Sequence, residues 1–176
     1  TLAGQADKFF LGNGDGTFSD ETARMPSMPY QPSNGSVACV FDNDGDLDIF
    51  VSTYSISTAN GVNALWQNDG EANFTNVALG KGFAAQATGN PFGSASANDA
   101  TEPGRDASNY TGNNGFGIDC DDINNDGNLD IFMTAISHPD SRQWGDPTQI
   151  LINQGEAGGY TFLSENTVRN YPYNEG

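Results

Sequence analysis

The sequence has few basic residues and no long apolar run, and each shortage excludes a class of protein. Six of its 176 residues are Lys or Arg, against 23 Asp or Glu, so the formal net charge is −17. A surface this acidic repels the phosphates of nucleic acids and anionic membranes, which excludes both as partners. No stretch approaches the roughly 20 apolar residues of a membrane-spanning helix, so we expect no membrane insertion.

Cysteine and histidine are almost as scarce. Cys39 and Cys120 are the two cysteines and His138 is the one histidine. Neither cysteine has a C-x-x-C partner, which argues against a zinc or haem site. Both cysteines lie just before an Asp-rich stretch, and two states stay open for them: a disulfide between neighbouring strands, or two buried thiols.

Gly, Asn, Asp and Ser are abundant, and this composition predicts a turn-rich, all-β chain. Two Asp-rich stretches within it are related. Residues 40–48 read Val-Phe-Asp-Asn-Asp-Gly-Asp-Leu-Asp, and residues 122–130 read Asp-Ile-Asn-Asn-Asp-Gly-Asn-Leu-Asp. In both, oxygen-bearing side chains occupy positions 3, 5 and 9 and glycine occupies position 6.

This spacing predicts two calcium loops. Ca²⁺ binds six to eight oxygens at about 2.3–2.6 Å, and the glycine allows the sharp turn that directs alternate side chains to one centre. In the second loop the expected ligands are the side chains of Asp122, Asn124, Asp126 and Asp130 and the carbonyl of Asn128. In the first loop they are the side chains of Asp42, Asp44 and Asp48 and the carbonyl of Asp46. Val40 removes one carboxylate from the first loop.

The EF-hand is the obvious comparison, and the sequence departs from it twice. Position 12 of an EF-hand loop is a bidentate Glu, whereas here it is Val51 or Met133. The loops also lead into short apolar runs, residues 49–52 and 131–134, which predict buried strands rather than helices. The alternative is that both stretches are ordinary Asp-Gly turns, but two copies with ligand spacing and the same exit favour metal binding.

A second element occurs three times. It consists of an apolar run, a turn that begins with Asn and contains Gly, and an aromatic residue at the start of the next run. The three copies are residues 9–18, 65–74 and 150–162. This pattern predicts β-hairpins. We expect the returning aromatics, Phe18, Phe74 and Phe162, to pack between sheets.

The order of these elements predicts a repeat protein in which a calcium loop and the following hairpin form one four-stranded unit. Residues 1–35 are the closing hairpin of a preceding unit, and residues 36–83 are the unit with the first calcium loop. Residues 84–114 are a Gly/Asn/Ser-rich loop between units. Residues 115–176 hold the second calcium loop and a C-terminal tail. A further long loop, 137–147, contains His138 and Trp144.

Together the two motifs resemble the FG-GAP or VCBS repeat. Residues 41–51, Phe-Asp-Asn-Asp-Gly-Asp-Leu-Asp-Ile-Phe-Val, are similar to the calcium loop of that family, and residues 11–20 are similar to its blade-closing motif. The resemblance implies a β-propeller of four-stranded blades, with Ca²⁺ held at the nine positions named above. Two units and the closing half of a third cannot close a ring, so we expect a partial propeller, a segment of a longer chain, or self-association.

The resemblance also implies a secreted or cell-surface protein that binds a protein or glycan partner, with structural calcium and no catalysis. One alternative is a carbohydrate-binding propeller whose aromatic side chains stack on sugars. Trp144 is the better candidate, since Trp66 lies in a hairpin strand and is expected in the core; the others are Tyr110, Tyr171 and Tyr173. The other alternative is an accessory domain of a secreted hydrolase or lyase, for which Asp119 and Asp121 are the candidate carboxylates. The sequence contains no G-x-S-x-G or H-E-x-x-H motif.

Overall fold

The computed structural model describes residues 7–26, 33–53, 63–84, 115–135 and 148–165. Within these ranges the chain is all-β, as predicted, with antiparallel sheets of two, four and four strands. The strands are β1 (Phe10–Gly12), β2 (Phe18–Asp20), β3 (Ser33–Cys39), β4 (Asp48–Thr53), β5 (Ala64–Asn68), β6 (Phe74–Asn76), β7 (Gly115–Asp121), β8 (Asp130–Ala135), β9 (Gln149–Asn153) and β10 (Phe162–Ser164).

Several predicted features lie outside the described residues. These are nearly all of the loop 84–114, the loop with His138 and Trp144, and the C-terminal tail. In the part of the chain that is described, no helix is long and apolar enough to cross a membrane.

The two larger sheets have the same construction. Their strand orders are β3-β4-β5-β6 and β7-β8-β9-β10. An Asp-rich loop joins the first two strands of each sheet, and the hairpin with the Asn-x-Gly turn forms the last two, as the sequence predicts. The β1–β2 hairpin corresponds to only the last two strands of such a sheet. Its turn has the same hydrogen bond: the Asn13 N–H donates to the Thr17 carbonyl, as the Asp69 N–H donates to the Asn73 carbonyl.

The three sheets stack in the same sense. Phe50 and Leu65, on one face of the first four-stranded sheet, are fully buried against Ile131 and Leu151 of the second. The opposite face of the first sheet packs against the N-terminal hairpin, and the rings of Phe9 and Phe74 meet edge to face at 5.0 Å. Ile49 of this face is the counterpart of Ile131, so equivalent faces point the same way in both sheets.

The exposure of the aromatic residues corrects part of the sequence interpretation. Phe74 and Phe162 are buried between sheets, as predicted. Phe18 is 70% exposed, so its predicted burial was wrong; the N-terminal hairpin has two strands, and its outer face has no further sheet over it among the described residues. Phe132, expected in a buried strand, is 40% exposed, whereas its counterpart Phe50 is fully buried.

The first strands of the two larger sheets, β3 and β7, run side by side. A Cβ atom at Gly35 would lie 2.2 Å from the Phe116 carbonyl oxygen, so only glycine allows this approach. Asn34 Nδ2 donates to the Gly115 carbonyl at 3.1 Å, and Ser52 Oγ donates to the Phe116 carbonyl at 3.1 Å. Because both strands lead into their Asp-rich loops in the same direction, the two loops lie next to each other at one end of the sheets.

Candidate metal loops

The two Asp-rich loops follow the same backbone path. Asn43 and Asn125, at position 4 of each loop, have φ values of 58° and 60°, and Gly45 and Gly127, at position 6, have φ values of 95° and 87°. Glycine adopts this left-handed region without steric cost, and Asn adopts it more readily than most residues. The spacing that predicted a tightly wound loop therefore corresponds to a real turn in both copies.

The first loop brings three carboxylates together. Ligand oxygens of Asp42, Asp44 and Asp48 all lie within 4.8 Å of one another, and no other group of three acidic, His or Cys side chains meets this condition in the described ranges. Asp48 is fully buried, and its two oxygens accept the N–H groups of Asn68 at 2.9 Å and Phe41 at 3.3 Å. Burial and, to a lesser extent, the charges of Asp42 and Asp44 together raise the pKa of Asp48 to about 6, against the lowering effect of the two N–H donors. A cation would relieve this repulsion.

The two carboxylate oxygens of Asp42 differ in their hydrogen bonding. Its Oδ2 accepts a hydrogen bond from Gln67 Nε2 at 2.6 Å, whereas its Oδ1 is buried and has no hydrogen-bond partner. A buried carboxylate oxygen without a donor is costly unless a cation or water satisfies it. The donor set is made of hard carboxylate oxygens and fits Ca²⁺.

The second loop contains all five predicted residues but arranges them differently. Asp122 accepts the N–H groups of Asp126 at 3.0 Å and Gly127 at 2.9 Å. Asp126 accepts the Asn128 N–H at 2.8 Å and Asn124 Nδ2 at 2.9 Å, and these bonds lower its pKa, that of the Asn128 N–H most. The loop's own donors therefore hold the carboxylates that the spacing assigned to a cation.

Asp130 closes the second loop as Asp48 closes the first. It is fully buried, and its oxygens accept the N–H groups of Asn153 at 2.9 Å and Ile123 at 3.2 Å. Burial raises its pKa above the ordinary range of an aspartate. Both closing aspartates thus combine a buried charge with two backbone donors.

Asp46 and Asn128, the predicted carbonyl ligands, direct their side chains over the neighbouring hairpin turn. A Cβ atom at Gly70 would lie 2.7 Å from Asp46 Oδ2, and one at Gly155 would lie 3.0 Å from Asn128 Nδ2. Both residues are predicted to bind the cation through their main-chain carbonyls, so their side chains do not have to point to the centre of the loop.

Sequence reasoning missed two asparagines that join each loop to its hairpin. Asn68 Nδ2 donates to the Leu47 carbonyl at 3.2 Å, and Asn153 Nδ2 donates to the Leu129 carbonyl at 3.2 Å. Asn153 also donates to the Phe41 carbonyl of the first loop at 2.8 Å. The sequence does contain a signal for them, because each is the first residue of the turn in its hairpin.

A scan against protein-family models and a search of curated proteins each found no match for this sequence. The functional interpretation therefore depends on the loops and on the stacking of the sheets.

Proposed function

We propose that this chain is a calcium-stabilised segment of an FG-GAP/VCBS-type β-propeller that serves extracellular binding, adhesion or assembly rather than catalysis. The observation that carries the proposal is the cluster of Asp42, Asp44 and Asp48, whose oxygens lie within 4.8 Å of one another around a fully buried Asp48. Such a cluster is unfavourable as three free anions and favourable around a divalent cation.

When bound, Ca²⁺ would supply positive charge that ties the Asp-rich turns together. In the first loop, Asp42, Asp44 and Asp48 would hold it with side-chain oxygens and Asp46 with its carbonyl. In the second loop the corresponding residues are Asp122, Asn124, Asp126, Asp130 and the carbonyl of Asn128. More of the carboxylate oxygens of the second loop already accept hydrogen bonds from inside the loop, so we expect weaker binding there.

The stacking of the sheets supports the propeller arrangement. The face of the second sheet that carries Phe132 is equivalent to the face of the first that carries the buried Phe50. Leu163 is 47% exposed, and it alternates along β10 with the buried Phe162, so it lies on this same open face. We assign this face to a further four-stranded sheet of the same repeat, because that is what covers its counterpart.

One observation favours carbohydrate binding as a second candidate. A cleft of about 290 Å³ lies between the N-terminal hairpin and the first four-stranded sheet, and its lining includes Lys8, Phe9, Asn34 and Trp66. Trp66 is 3% exposed and belongs to the core, so a bound sugar would contact the exposed polar side chains of the lining, Lys8 and Asn34. A glycan array tests this candidate: saturable binding that Lys8→Ala and Asn34→Ala both weaken supports it, and no binding rejects it.

Thermal unfolding in Ca²⁺ and in chelator tests the main proposal. Free ligand at 100 times its Kd stabilises the folded state by about 2.7 kcal/mol per site, which raises the Tm by several degrees. We expect Asp44→Asn to remove most of this shift, because it removes one carboxylate of the cluster and keeps the side-chain shape. Asp126→Asn tests the second loop in the same way.

Asp15→Asn is the matched control. It removes one exposed carboxylate from a hairpin turn far from the Asp-rich loops in sequence, so the Ca²⁺ shift should persist. Mg²⁺ at the same concentration should stabilise less, since it requires stricter octahedral geometry. A Tm that is the same in Ca²⁺ and in chelator would reject structural calcium.

A further inference from the structure

The register between β3 and β7 places the two cysteines opposite each other. Asn34 contacts the Gly115 carbonyl, and these residues are 81 positions apart. Gly35 approaches the Phe116 carbonyl with the same separation. Cys39 and Cys120 share this separation too. Because the two strands run in the same direction, a constant separation brings the cysteines together at the ends next to the Asp-rich loops.

The packing agrees with the register. Cys39 is 5% exposed and belongs to the core shared by the two larger sheets, and Cys120 is half-buried against the same core. Both cysteines are free thiols, and they lie close enough for each to affect the pKa of the other. Burial raises the pKa of both thiols above that of an ordinary cysteine.

We propose that Cys39 and Cys120 form a disulfide between the two sheets under oxidising conditions. With oxidised glutathione as the oxidant, the more accessible Cys120 sulfur attacks the glutathione disulfide and releases one reduced glutathione. The Cys39 sulfur then attacks the Cys120 sulfur of the mixed disulfide and releases the second. Two thiols and one glutathione disulfide are converted into one protein disulfide and two glutathione thiols.

This bond would tie the first strands of both sheets, and so both Asp-rich loops, to each other. The cross-link would enclose about 80 residues, and closing a loop of this length restricts the unfolded chain strongly. The proposal does not depend on calcium, and it concerns the same end of the sheets as the loops.

The test is to equilibrate the folded protein in glutathione buffers from reducing to oxidising and count free thiols by maleimide labelling and intact mass. We expect the labels to fall from two to zero together, with a mass loss of two hydrogens and a peptide that links Cys39 to Cys120. The oxidised protein should unfold at a Tm several degrees above that of the reduced protein.

Single variants supply the control. Cys39→Ala and Cys120→Ala should each keep one labelled thiol or gain one glutathione, and the Tm of each should no longer rise on oxidation. If a variant does not fold, the wild-type mass and peptide data decide. Two thiols that still label in the most oxidising buffer, two glutathione adducts, or a disulfide-linked dimer would overturn the proposal. A Ca²⁺ shift that persists in both redox states keeps this test separate from the calcium proposal.

Discussion

Five aspartates among the described residues show two contrasting environments. Asp15, Asp69 and Asp126 are exposed and accept N–H or hydroxyl groups from nearby residues, which lowers the pKa of each. Burial instead raises the pKa of Asp48 and Asp130. The exposed group stabilises turns through these hydrogen bonds, whereas the buried pair closes the Asp-rich loops.

At the scale of single residues we predict an unusually acidic carboxyl at Asp20. The Thr22 hydroxyl and N–H and the Lys8 ammonium donate to it, and together they lower its pKa to about 2. Its pKa in the unfolded chain is about 3.9, so its contribution to stability is present above about pH 4 and is lost as the pH falls towards 2.

An NMR titration of the Asp20 carboxyl measures this pKa directly. Thr22→Ala should raise it most, since the Thr22 hydroxyl is the largest cause of the shift, and Lys8→Ala should raise it less. Glu156→Gln, a charge change in the turn between β9 and β10, is the control and should leave it unchanged. An Asp20 pKa near 4 in the wild type would contradict the prediction.

At the scale of strands, the close approach of β3 and β7 determines which glycines can be replaced. We predict that Gly35→Ala costs about 1–3 kcal/mol of unfolding free energy, because its Cβ would meet the Phe116 carbonyl at 2.2 Å and the backbone has to move. Gly12→Ala in β1 is the control: its Cβ meets only the Phe18 ring, at 3.7 Å, which is ordinary contact.

Urea denaturation of both glycine variants, followed by tryptophan fluorescence, gives the two free energies. Equal costs for Gly35→Ala and Gly12→Ala would mean that the first strands are not in close contact. Because Trp66 lies in the first four-stranded sheet, its fluorescence reports on the unfolding of the sheet that contains Gly35.

At the scale of the whole molecule, the place of a sheet in the stack decides how much its residues contribute to the free energy of unfolding. Phe50 is fully buried between sheets, and Phe132 occupies the same place on the open face of the second sheet. We predict that Phe50→Ala costs about 3–5 kcal/mol and Phe132→Ala less than about 1 kcal/mol, since only the first leaves a cavity. Urea denaturation compares the two.

A longer polypeptide or an assembly that adds the next sheet should raise the cost of Phe132→Ala towards that of Phe50→Ala. Equal costs in this chain alone would show that the open face is already covered. The proposed stacking of a further sheet would then be wrong for this face.

The sequence by itself determined the local features. The short strands after each Asp-rich loop and the turns at Gly45 and Gly127 follow from residue types and spacings inside each motif. The two four-stranded units follow from the order of the motifs along the chain. It also located both Asp-rich loops, because their backbone path depends on glycine and asparagine inside the loops. Their cation occupancy stays a prediction.

Only the tertiary structure decided whether corresponding residues of the two units have the same surroundings. The spacing assigns more ligands to the second loop, yet three carboxylates lie close together only in the first. There, Gln67 and Asn68 of β5, 25 and 20 residues further along the chain, donate to Asp42 and Asp48. The exposure of Phe132 and the approach of the two cysteines likewise depend on neighbouring sheets. Such contacts join residues far apart in the chain, so no local pattern encodes them.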